Sequence, residues 1–242
     1  MVKCPGQDQR YWKPEDISEV TCPECDSSIE FWKDEPRRKC FKCSKIVWNP
    51  RIEMGCAEWC QYAEQCVGEL LENKEAAVLC DKIAAEMKEL FGKDQKRIEH
   101  ALTVLKYAEQ IQQAEKGYPL VVKAAAILHD IGIQRAEKIH GSAAGKYQEI
   151  EGPPIAREIM IKLEMPEEIM EQVCNIIANH HSARDQQTAG TIEFQIIWDA
   201  DWLVNLPEVY PNKGPLEIKQ IIEKIFKTTT GRQLAGKMFL EN

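Results

Sequence analysis

The chain has 242 residues, of which 44% are hydrophobic, and a formal net charge of −8 at pH 7. This length suffices for one large core and one small module, since domains usually contain about 100 to 200 residues. The acidic balance argues against non-specific binding to nucleic acid, which depends mainly on lysine and arginine.

The amino terminus, residues 1–8, has no apolar segment of the kind that directs secretion, and the longest apolar runs are too short to cross a bilayer. We therefore expect a cytoplasmic protein without a membrane partner. In a reducing compartment the ten cysteines favour metal binding over disulfides, because their thiols stay free to act as ligands.

Two Cys-x-x-Cys motifs near the amino terminus are separated by fourteen residues. Between them, residues 28–32 alternate polar and apolar side chains, as a β-strand does. Four thiolates on two tight turns are typical of a tetrahedral zinc site, and bound zinc would supply the folding free energy of so short a segment. We predict a zinc ribbon in residues 1–50, with Cys22, Cys25, Cys40 and Cys43 as the ligands of a structural zinc.

A second cysteine group lies in residues 51–72, which we interpret as a connector. It contains Cys56, Cys60 and Cys66, and Cys4 could complete a set of four thiolates. Both a second zinc ion and an iron–sulfur cluster accept four thiolates, and the spacing does not choose between them. Reduced structural cysteines are the third interpretation of this group.

The predicted ribbon also carries a run of basic residues with aromatic residues between them. The basic members are Arg37, Arg38, Lys39, Lys42 and Lys45. Such a surface suits a nucleic acid or a protein partner, but a solvated face beside Asp34 and Glu35 explains it as well. Nucleic acid is therefore an open but not a favoured partner.

From residue 73 to residue 242 the apolar residues follow a helical period, and we predict no strand after residue 50. Proline, glycine and capping residues divide this part of the chain into helices. The first predicted helices are 74–91, a helix capped by Asp94 that runs to Gly117, and helices that begin at Pro119 and at Pro153 and Pro154. The later ones are a helix from Pro166 that ends at His180 and His181, the helix 191–206 and a carboxyl-terminal helix from Pro215. The expected fold class is mainly α, with a small β module in front.

The helix that begins at Pro119 is apolar until it reaches His129 and Asp130, where Gly132 is expected to stop it. A buried carboxylate without a partner loses roughly several kcal/mol of solvation, and a divalent metal is the commonest cation beside an adjacent His and Asp. The chain's other histidines also lie in its second part. They are His100, His140, His180 and His181.

The order His100, His129-Asp130 and Asp201 resembles that of the HD-domain superfamily of metal-dependent phosphohydrolases, and residues 129–132 resemble its His-Asp-Ile-Gly subgroup. The resemblance covers residues 94 to 242 or so. It implies an all-helical HD-domain bundle in residues 73–242, and additional histidines occupy the intermediate places of the family's two-metal branches. The implied metal ligands are His100, His129, Asp130, His140, His180, His181 and Asp201.

A ligand set of this kind suits one octahedral ion or two bridged ions, with Fe, Mn, Mg, Ni or Zn as the candidates. Asp130 is the expected bridge and, with His129, the expected catalytic residue. A centre of this kind lowers the pKa of bound water to about 7 and stabilises phosphate oxygens, which matches phosphoester hydrolysis. Consecutive helical residues point about 100° apart, so His180 and His181 are expected to serve two metals or to divide into one ligand and one supporting residue.

Besides the ligand Asp201, three residues near this centre have open roles: Asp199, Lys146 and Arg184. We choose Asp201 over Asp199 as the last ligand, and expect Asp199 to orient a neighbour or to be solvated. Lys146 and Arg184 are candidates for holding the non-bridging oxygens of a phosphate, although exposed surface positions explain them equally well.

The sequence departs from two substrate-defined branches of the superfamily. Lys96 stands where the cyclic-dinucleotide branch has a carboxylate, and Trp202 follows Asp201 where the alarmone hydrolases have Arg. We therefore expect a small phosphorylated substrate, a nucleotide or another phosphoester, without naming it. The alternatives are a di-iron oxygenase of the same superfamily and a regulator that senses metal or redox state or binds nucleic acid. The oligomeric state is left open.

Overall fold

In a computed structural model of the chain, the described residues are 13, 17–32, 35, 37–49 and 63–241, with side chains described from residue 76 onward in the second part. The chain divides into two compact units between Lys74 and Glu75. The proposed second cysteine site falls outside this description, because Cys4, Cys56, Cys60 and the side chain of Cys66 are not included.

Two antiparallel β-hairpins form the described part of the first unit. Strand β1 (Ile17–Thr21) pairs with β2 (Ser28–Trp32), and β3 (Arg37–Lys39) pairs with β4 (Ile46–Trp48). Each hairpin turns at one Cys-x-x-Cys motif, and the strand predicted from the alternation of residues 28–32 is confirmed as β2. The small core of the unit consists of Cys22, Ile29, Phe31, Cys40 and Val47. We call residues 17–48 the cysteine module.

From Ala63 onward the described chain contains ten helices and no strand. None of these helices is long and apolar enough to span a bilayer. The helices are α1 (Ala63–Phe91), α2 (Gln95–Glu115), α3 (Pro119–Leu128), α4 (Ile133–His140), α5 (Gly145–Lys162), α6 (Glu167–Ile177), α7 (Gln186–Ala189), α8 (Ile192–Val209), α9 (Pro215–Ile225) and α10 (Thr229–Phe239). The predicted fold class, a helical bundle preceded by a small β module, is confirmed.

Helix α3 lies at the centre of the second unit and packs against α2, α6 and α8. From Leu120 to Leu128 every residue except Lys123 is buried, and Lys123 directs its ammonium to Glu109 at 3.1 Å. A helix that is apolar on all sides must be surrounded by other helices. The residues that follow Leu128 are therefore held in place by the core itself.

Two of the predicted helix starts are confirmed by side-chain caps. The Asp94 carboxylate accepts a hydrogen bond from the Arg97 amide at the start of α2, and the Thr191 hydroxyl accepts one from the Phe194 amide at the start of α8. Each cap satisfies an amide that has no partner inside the helix. His100 lies on α2 and Asp201 lies on α8, so the two caps fix the starts of the helices that carry these side chains.

The prediction that Pro153 and Pro154 begin a helix is wrong, since both lie inside α5. Proline disfavours the helical conformation of the preceding residue because its ring collides with that residue's Cβ. The residue before Pro153 is Gly152, which has no Cβ, so the first of the two prolines avoids this collision. A Cβ at Gly152 would also lie 2.7 Å from the Ile177 side chain, so the helix passes α6 at close range without a break.

The predicted single helix after Pro215 is in fact two helices, α9 and α10, and Asp199 holds the turn between them. Asp199 is fully buried and accepts hydrogen bonds from the Lys227 amide at 2.8 Å and from the Thr228 amide and hydroxyl, both at 2.7 Å. Burial raises the pKa of this carboxyl, although these donors oppose the rise. Asp199 is thus a buried anchor for the carboxyl-terminal helices and not a solvated residue.

Candidate metal centre

His129 and Asp130 lie in the turn that joins α3 to α4. His129 has no exposed surface, and its Nδ1 donates a hydrogen bond to the Ala126 carbonyl at 2.8 Å. Gly132 was expected to stop the helix. Its φ is −78°, so it does not have the left-handed conformation of a helix-ending glycine, and α4 begins at the next residue. Glycine is needed for another reason: a Cβ there would lie 2.4 Å from the Gly152 amide nitrogen.

His180 and His181 lie in the turn after α6, which ends three residues earlier at Ile177. The expectation that this helix extends to the two histidines is wrong, and the angular restriction of a regular helix does not apply to them. His180 repeats the arrangement of His129, since its Nδ1 lies 2.6 Å from the Ile177 carbonyl oxygen, again three residues back. Both histidines therefore follow the carboxyl end of an apolar helix.

These two hydrogen bonds determine which ring nitrogen is available for a metal. The last carbonyls of a helix have no partner within it, so they accept the Nδ1 proton. In the neutral imidazole the proton then resides on Nδ1, and Nε2 keeps its lone pair. His129 and His180 thus present Nε2 as a fixed ligand atom, as metal-binding histidines do when the other ring nitrogen is hydrogen-bonded.

The first ligand group consists of His100, His129, Asp130 and Asp201. His100 comes from α2, the His129-Asp130 pair from the turn after α3, and Asp201 from α8. His100 Nε2 lies 3.1 Å from His129 Nε2 and 3.1 Å from Asp201 Oδ1. The other separations are 3.4 Å from His129 Nε2 to Asp130 Oδ2, 3.5 Å from His129 Nε2 to Asp201 Oδ1 and 3.5 Å from His100 Nε2 to Asp130 Oδ2.

The second ligand group consists of Asp130, His180 and His181. His180 Nε2 lies 3.4 Å from Asp130 Oδ1, and His181 Nε2 lies 3.9 Å from the same oxygen. Asp130 therefore belongs to both groups. Its Oδ2 faces His100 and His129, whereas its Oδ1 faces the two later histidines.

The spacing of these atoms fits a metal ion. Ligand bonds of about 2.1 Å place neighbouring ligand atoms about 3.0 Å apart in an octahedral site and about 3.4 Å apart in a tetrahedral site. In the first ligand group, the five separations that involve His100 or His129 lie between 3.1 and 3.5 Å. Since His129 Nε2 carries a lone pair, its approach to His100 Nε2 requires a proton or a cation between them. The donor set therefore fits a divalent ion.

The electrostatics of the cluster also favour a cation. Burial by itself lowers the pKa of His129, but the carboxylates of Asp130 and Asp201 outweigh burial and raise that pKa well above its ordinary value. Burial raises the pKa of Asp130, yet His129 and His180 overcome it and hold that pKa well below its usual range. Burial and the neighbouring His180 lower the pKa of His181 to about 4. A metal ion would replace the proton on His129 and find His181 already neutral.

Two supporting residues were not found by sequence reasoning. Asn205 donates from Nδ2 to Asp201 Oδ1 at 2.8 Å, and its position one turn after Asp201 was the signal that could have revealed it. Glu149, a buried residue of α5, accepts hydrogen bonds at Oε1 from the His181 amide at 3.1 Å and the Ser182 amide at 2.7 Å. No sequence spacing links Glu149 to that turn. Together these residues orient a ligand in each group.

His140 has different neighbours from those expected. Its Nε2 lies 2.9 Å from Glu151 Oε1, and its ring stacks on Tyr147 with 4.3 Å between centroids. Glu151 also accepts from Arg135 Nε at 3.0 Å, so both of its oxygens are occupied. Among the described residues, neither ligand group includes His140. The expected ligand His140 thus lies outside both groups, and its Nε2 is paired instead with the Glu151 carboxylate of α5.

The two candidate phosphate-binding residues lie next to the second ligand group, Lys146 through the approach of Gly145 to the His181 ring and Arg184 through its position three residues after His181. Lys146 Nζ stands 4.6 Å above the Tyr147 ring centre, and Lys146 follows Gly145, where a Cβ would come within 2.6 Å of the His181 ring. Arg184 is 70% exposed and lies 3.9 Å from Glu149 Oε2. Their role toward a phosphate stays a prediction.

The four cysteines of the cysteine module converge as a separate candidate site. Cys22 Sγ lies 3.6 Å from Cys43 Sγ, and Cys25 Sγ lies 3.6 Å from Cys40 Sγ. Zinc–sulfur bonds of about 2.3 Å give a tetrahedral edge of about 3.8 Å. The Ser27 hydroxyl, hydrogen-bonded to both Cys25 and Cys40, lowers the pKa of Cys25 and lowers that of Cys40 to about 6. The cluster is consistent with the predicted zinc ribbon.

The fold and the clustered His and Asp residues define an all-helical unit with two groups of side chains that could hold metal ions, and comparison with known proteins shows what this unit resembles. Residues 97–206 match the family model of the HD domain. This stretch is similar to the HD domain, and the match supports divalent metal binding and a metal-dependent hydrolase at the level of the family. The resemblance inferred from the sequence is confirmed.

A comparison with solved structures finds a similar chain described as a predicted HD superfamily hydrolase from an uncultured Thermotogales bacterium. The two chains are 22% identical, with a TM-score of 0.48, and the match covers 65% of this chain and 83% of the other. Curated proteins gave no match.

Proposed function

We propose that the protein is a phosphohydrolase that cleaves a nucleotide or another small phosphoester at a centre of two divalent metal ions. The observation that carries the proposal is the position of Asp130. Its two carboxylate oxygens face different sets of imidazole nitrogens, as a carboxylate that bridges two ions must do. When bound, such ions supply positive charge to phosphate oxygens and lower the pKa of water to about 7.

The protein's own residues prepare this centre before substrate arrives. His129 and His180 hold their Nε2 atoms in one orientation, because each Nδ1 proton is bound to a helix-end carbonyl. Asn205 fixes the Asp201 carboxylate in the same way. Ligands held by hydrogen bonds need little reorganisation during the reaction, which is the condition for electrostatic stabilisation of developing charge.

Exposure indicates the side from which substrate approaches. In the first ligand group the His129 side chain has no exposed surface, and those of His100 and Asp201 are 19% and 13% exposed, whereas 34% of the His181 side chain is exposed. Substrate would therefore reach the centre past the second ligand group. We propose that Lys146, which follows Gly145 beside the His181 ring, and Arg184, three residues after His181, bind phosphate oxygens there.

The proposal can be tested by comparing Asp130→Asn with a matched control, Asp81→Asn, which changes an exposed carboxylate of α1. Wild type and both variants would be purified under anaerobic conditions. Their metal content would be measured, and they would be screened for phosphate release from nucleotides and sugar phosphates. We expect Asp130→Asn to lose the metal of the helical unit, to retain the thiol-bound metal and to release phosphate at least ~100-fold more slowly. The control should behave as wild type.

A di-iron oxygenase would give a different result in the same experiment. Protein loaded with ferrous iron that consumes oxygen in a substrate-dependent manner, and that releases no phosphate from any substrate in the screen, would contradict the proposal. Equal phosphate release by wild type and Asp130→Asn would also contradict it, because the bridging carboxylate would then have no role in the reaction.

A further inference from the structure

The two hairpins of the cysteine module repeat one backbone design. Position 22 corresponds to position 40, and the equivalence continues residue by residue from 19–27 to 37–45. The residue after each second cysteine has a left-handed conformation, with φ of 56° at Asp26 and 62° at Ser44. Matching hydrogen bonds close the two turns: Cys22 N to Ser27 O at 2.9 Å, Cys40 N to Lys45 O at 2.7 Å, Asp26 N to Cys22 O at 3.0 Å and Ser44 N to Cys40 O at 2.9 Å.

The side chains on these equivalent positions carry opposite charge. Residues 19–27 include three carboxylates, Glu19, Glu24 and Asp26, and no basic residue. Residues 37–45 include the five basic residues of the ribbon and no carboxylate. Arg38 is ion-paired with Glu35 at 2.6 Å, but Lys39, Lys42 and Lys45 are exposed, so in a chain whose net charge is −8 this short segment concentrates positive charge.

Compensation of the thiolate charge does not explain the difference. Four thiolates around one divalent ion leave two negative charges, and nearby lysines would stabilise them. However, each hairpin supplies two of the four thiolates, so compensation alone predicts basic residues on both. The first hairpin has Glu19 and Glu24 at the positions of Arg37 and Lys42, has no basic residue at the other three positions, and still forms the same turn. The basic residues of the second hairpin therefore need another explanation.

The tip of the second hairpin also exposes an aromatic ring. Phe41 is 82% exposed, the most exposed of the large apolar side chains in the described chain. Its equivalent at the first tip is Pro23. Phe41 lies next to Lys42, and Lys39 and Lys45 are exposed at the two ends of the same turn. A single exposed apolar side chain is common on protein surfaces. Here, however, the exposed ring lies among lysines, so one surface offers both a face for stacking and positive charge.

We propose that this second hairpin, residues 37–45, binds single-stranded nucleic acid, with Phe41 stacking on a base and Lys39, Lys42 and Lys45 contacting phosphates. Single strands combine a row of negative charges with exposed base faces, and proteins bind them through lysines and stacking aromatic rings. A duplex offers the charges but keeps its base faces inside the stack. The inference uses only the cysteine module and does not depend on the proposed hydrolase activity.

The test measures binding of the full-length, metal-loaded protein to a fluorescent oligothymidine of about 16 nucleotides, the upper end of site sizes for such proteins. Fluorescence anisotropy at low and at moderate salt would give the affinity and its salt dependence. Two variants change the proposed surface, Phe41→Ala and Lys42→Gln. Two matched controls change the equivalent positions of the first hairpin, Pro23→Ala and Glu24→Gln.

We expect Phe41→Ala to weaken binding by about tenfold, since stacking of one base has that order of effect. Lys42→Gln should reduce the slope of log affinity against log salt by about 0.7, the value for one phosphate contact on a single strand. The controls should leave both quantities unchanged. None of the four residues is a cysteine ligand, and the zinc content of each variant shows that its cysteine site is intact.

Three results would overturn the inference. The first is no binding of the oligonucleotide at low salt. The second is equal affinity for the wild type, both variants and both controls, which would place binding elsewhere on the chain. The third is equally strong competition by a blunt duplex or by polyglutamate, because a surface that does not distinguish these polymers recognises negative charge alone.

Discussion

Replacing Glu149 by alanine should weaken metal binding at the second ligand group and spare the first. The Glu149 side chain is only 5% exposed, and one of its oxygens accepts the amide hydrogens of His181 and Ser182. Alanine leaves both amides without an acceptor, at a cost of about 1 to 3 kcal/mol for each. The turn can escape that cost only by rearranging toward water, which moves His180 and His181 away from Asp130.

The size of the effect follows from this local cost. These two hydrogen bonds are partly buried, so their loss amounts to at most about 2 to 6 kcal/mol, and a tenfold change in affinity needs about 1.4 kcal/mol. If part of this free-energy cost is removed only at the expense of metal binding, metal affinity should fall by roughly 10- to 100-fold. Removal of a residue that supports a metal ligand usually has an effect of this size. Glu149→Gln is the matched control, because its amide oxygen can accept the same two hydrogens.

Calorimetric titration of the metal-free protein with Mn²⁺ would measure both groups. We expect two binding events in the helical unit of wild type, a weakened second event in Glu149→Ala and recovery of most of it in Glu149→Gln. If Glu149→Ala binds both ions as wild type does, the turn does not depend on Glu149. If both events weaken equally, the two groups are not separable and the reasoning fails.

The buried anchor and the His129 imidazole give two further predictions. Gly231→Ala should lower the free energy of unfolding by about 1 to 3 kcal/mol, because the new Cβ would lie 2.3 Å from Asp199 Oδ2. Gly236→Ala in the same helix places its Cβ with nothing within 4 Å and should be neutral or slightly stabilising. Thermal melts of both variants check this prediction. Metal-free protein should lose stability as pH rises above 6.5, since the raised pKa of His129 stabilises the folded state only while that group is protonated. Melts across pH with chelator, and again with Mn²⁺, test the second prediction, and a chelated protein that gains stability over that range would refute it.

The elements that depend on local chemistry were predictable from the sequence. Asp94 and Thr191 begin helices because their side chains satisfy amides only a few residues away. The paired cysteines predict two knuckles because a Cys-x-x-Cys turn is complete within a few residues. The apolar run before His129 predicts a central helix, since a segment that is apolar on every side must be buried.

The failures occur where a distant segment decides the outcome. Pro153 and Pro154 continue a helix because Gly152 removes the usual collision and lets α5 pass close to α6. Gly132 was expected to end a helix, but its role is to admit the Gly152 backbone. Asp199 was interpreted as a possible solvated residue, but it anchors a turn almost thirty residues later.

By itself, the sequence determined which residues are available for the chemistry: an ordered set of histidines and aspartates on helices, and four cysteines on two turns. Only the tertiary structure decided how they are shared. In the folded chain the two oxygens of Asp130 face different histidines, and His140 pairs with Glu151. Glu149 accepts a hydrogen bond from the His180–His181 turn. The physical reason is range, because caps and turns are closed by neighbours in the chain, whereas a metal centre is closed by side chains that meet only when the core packs.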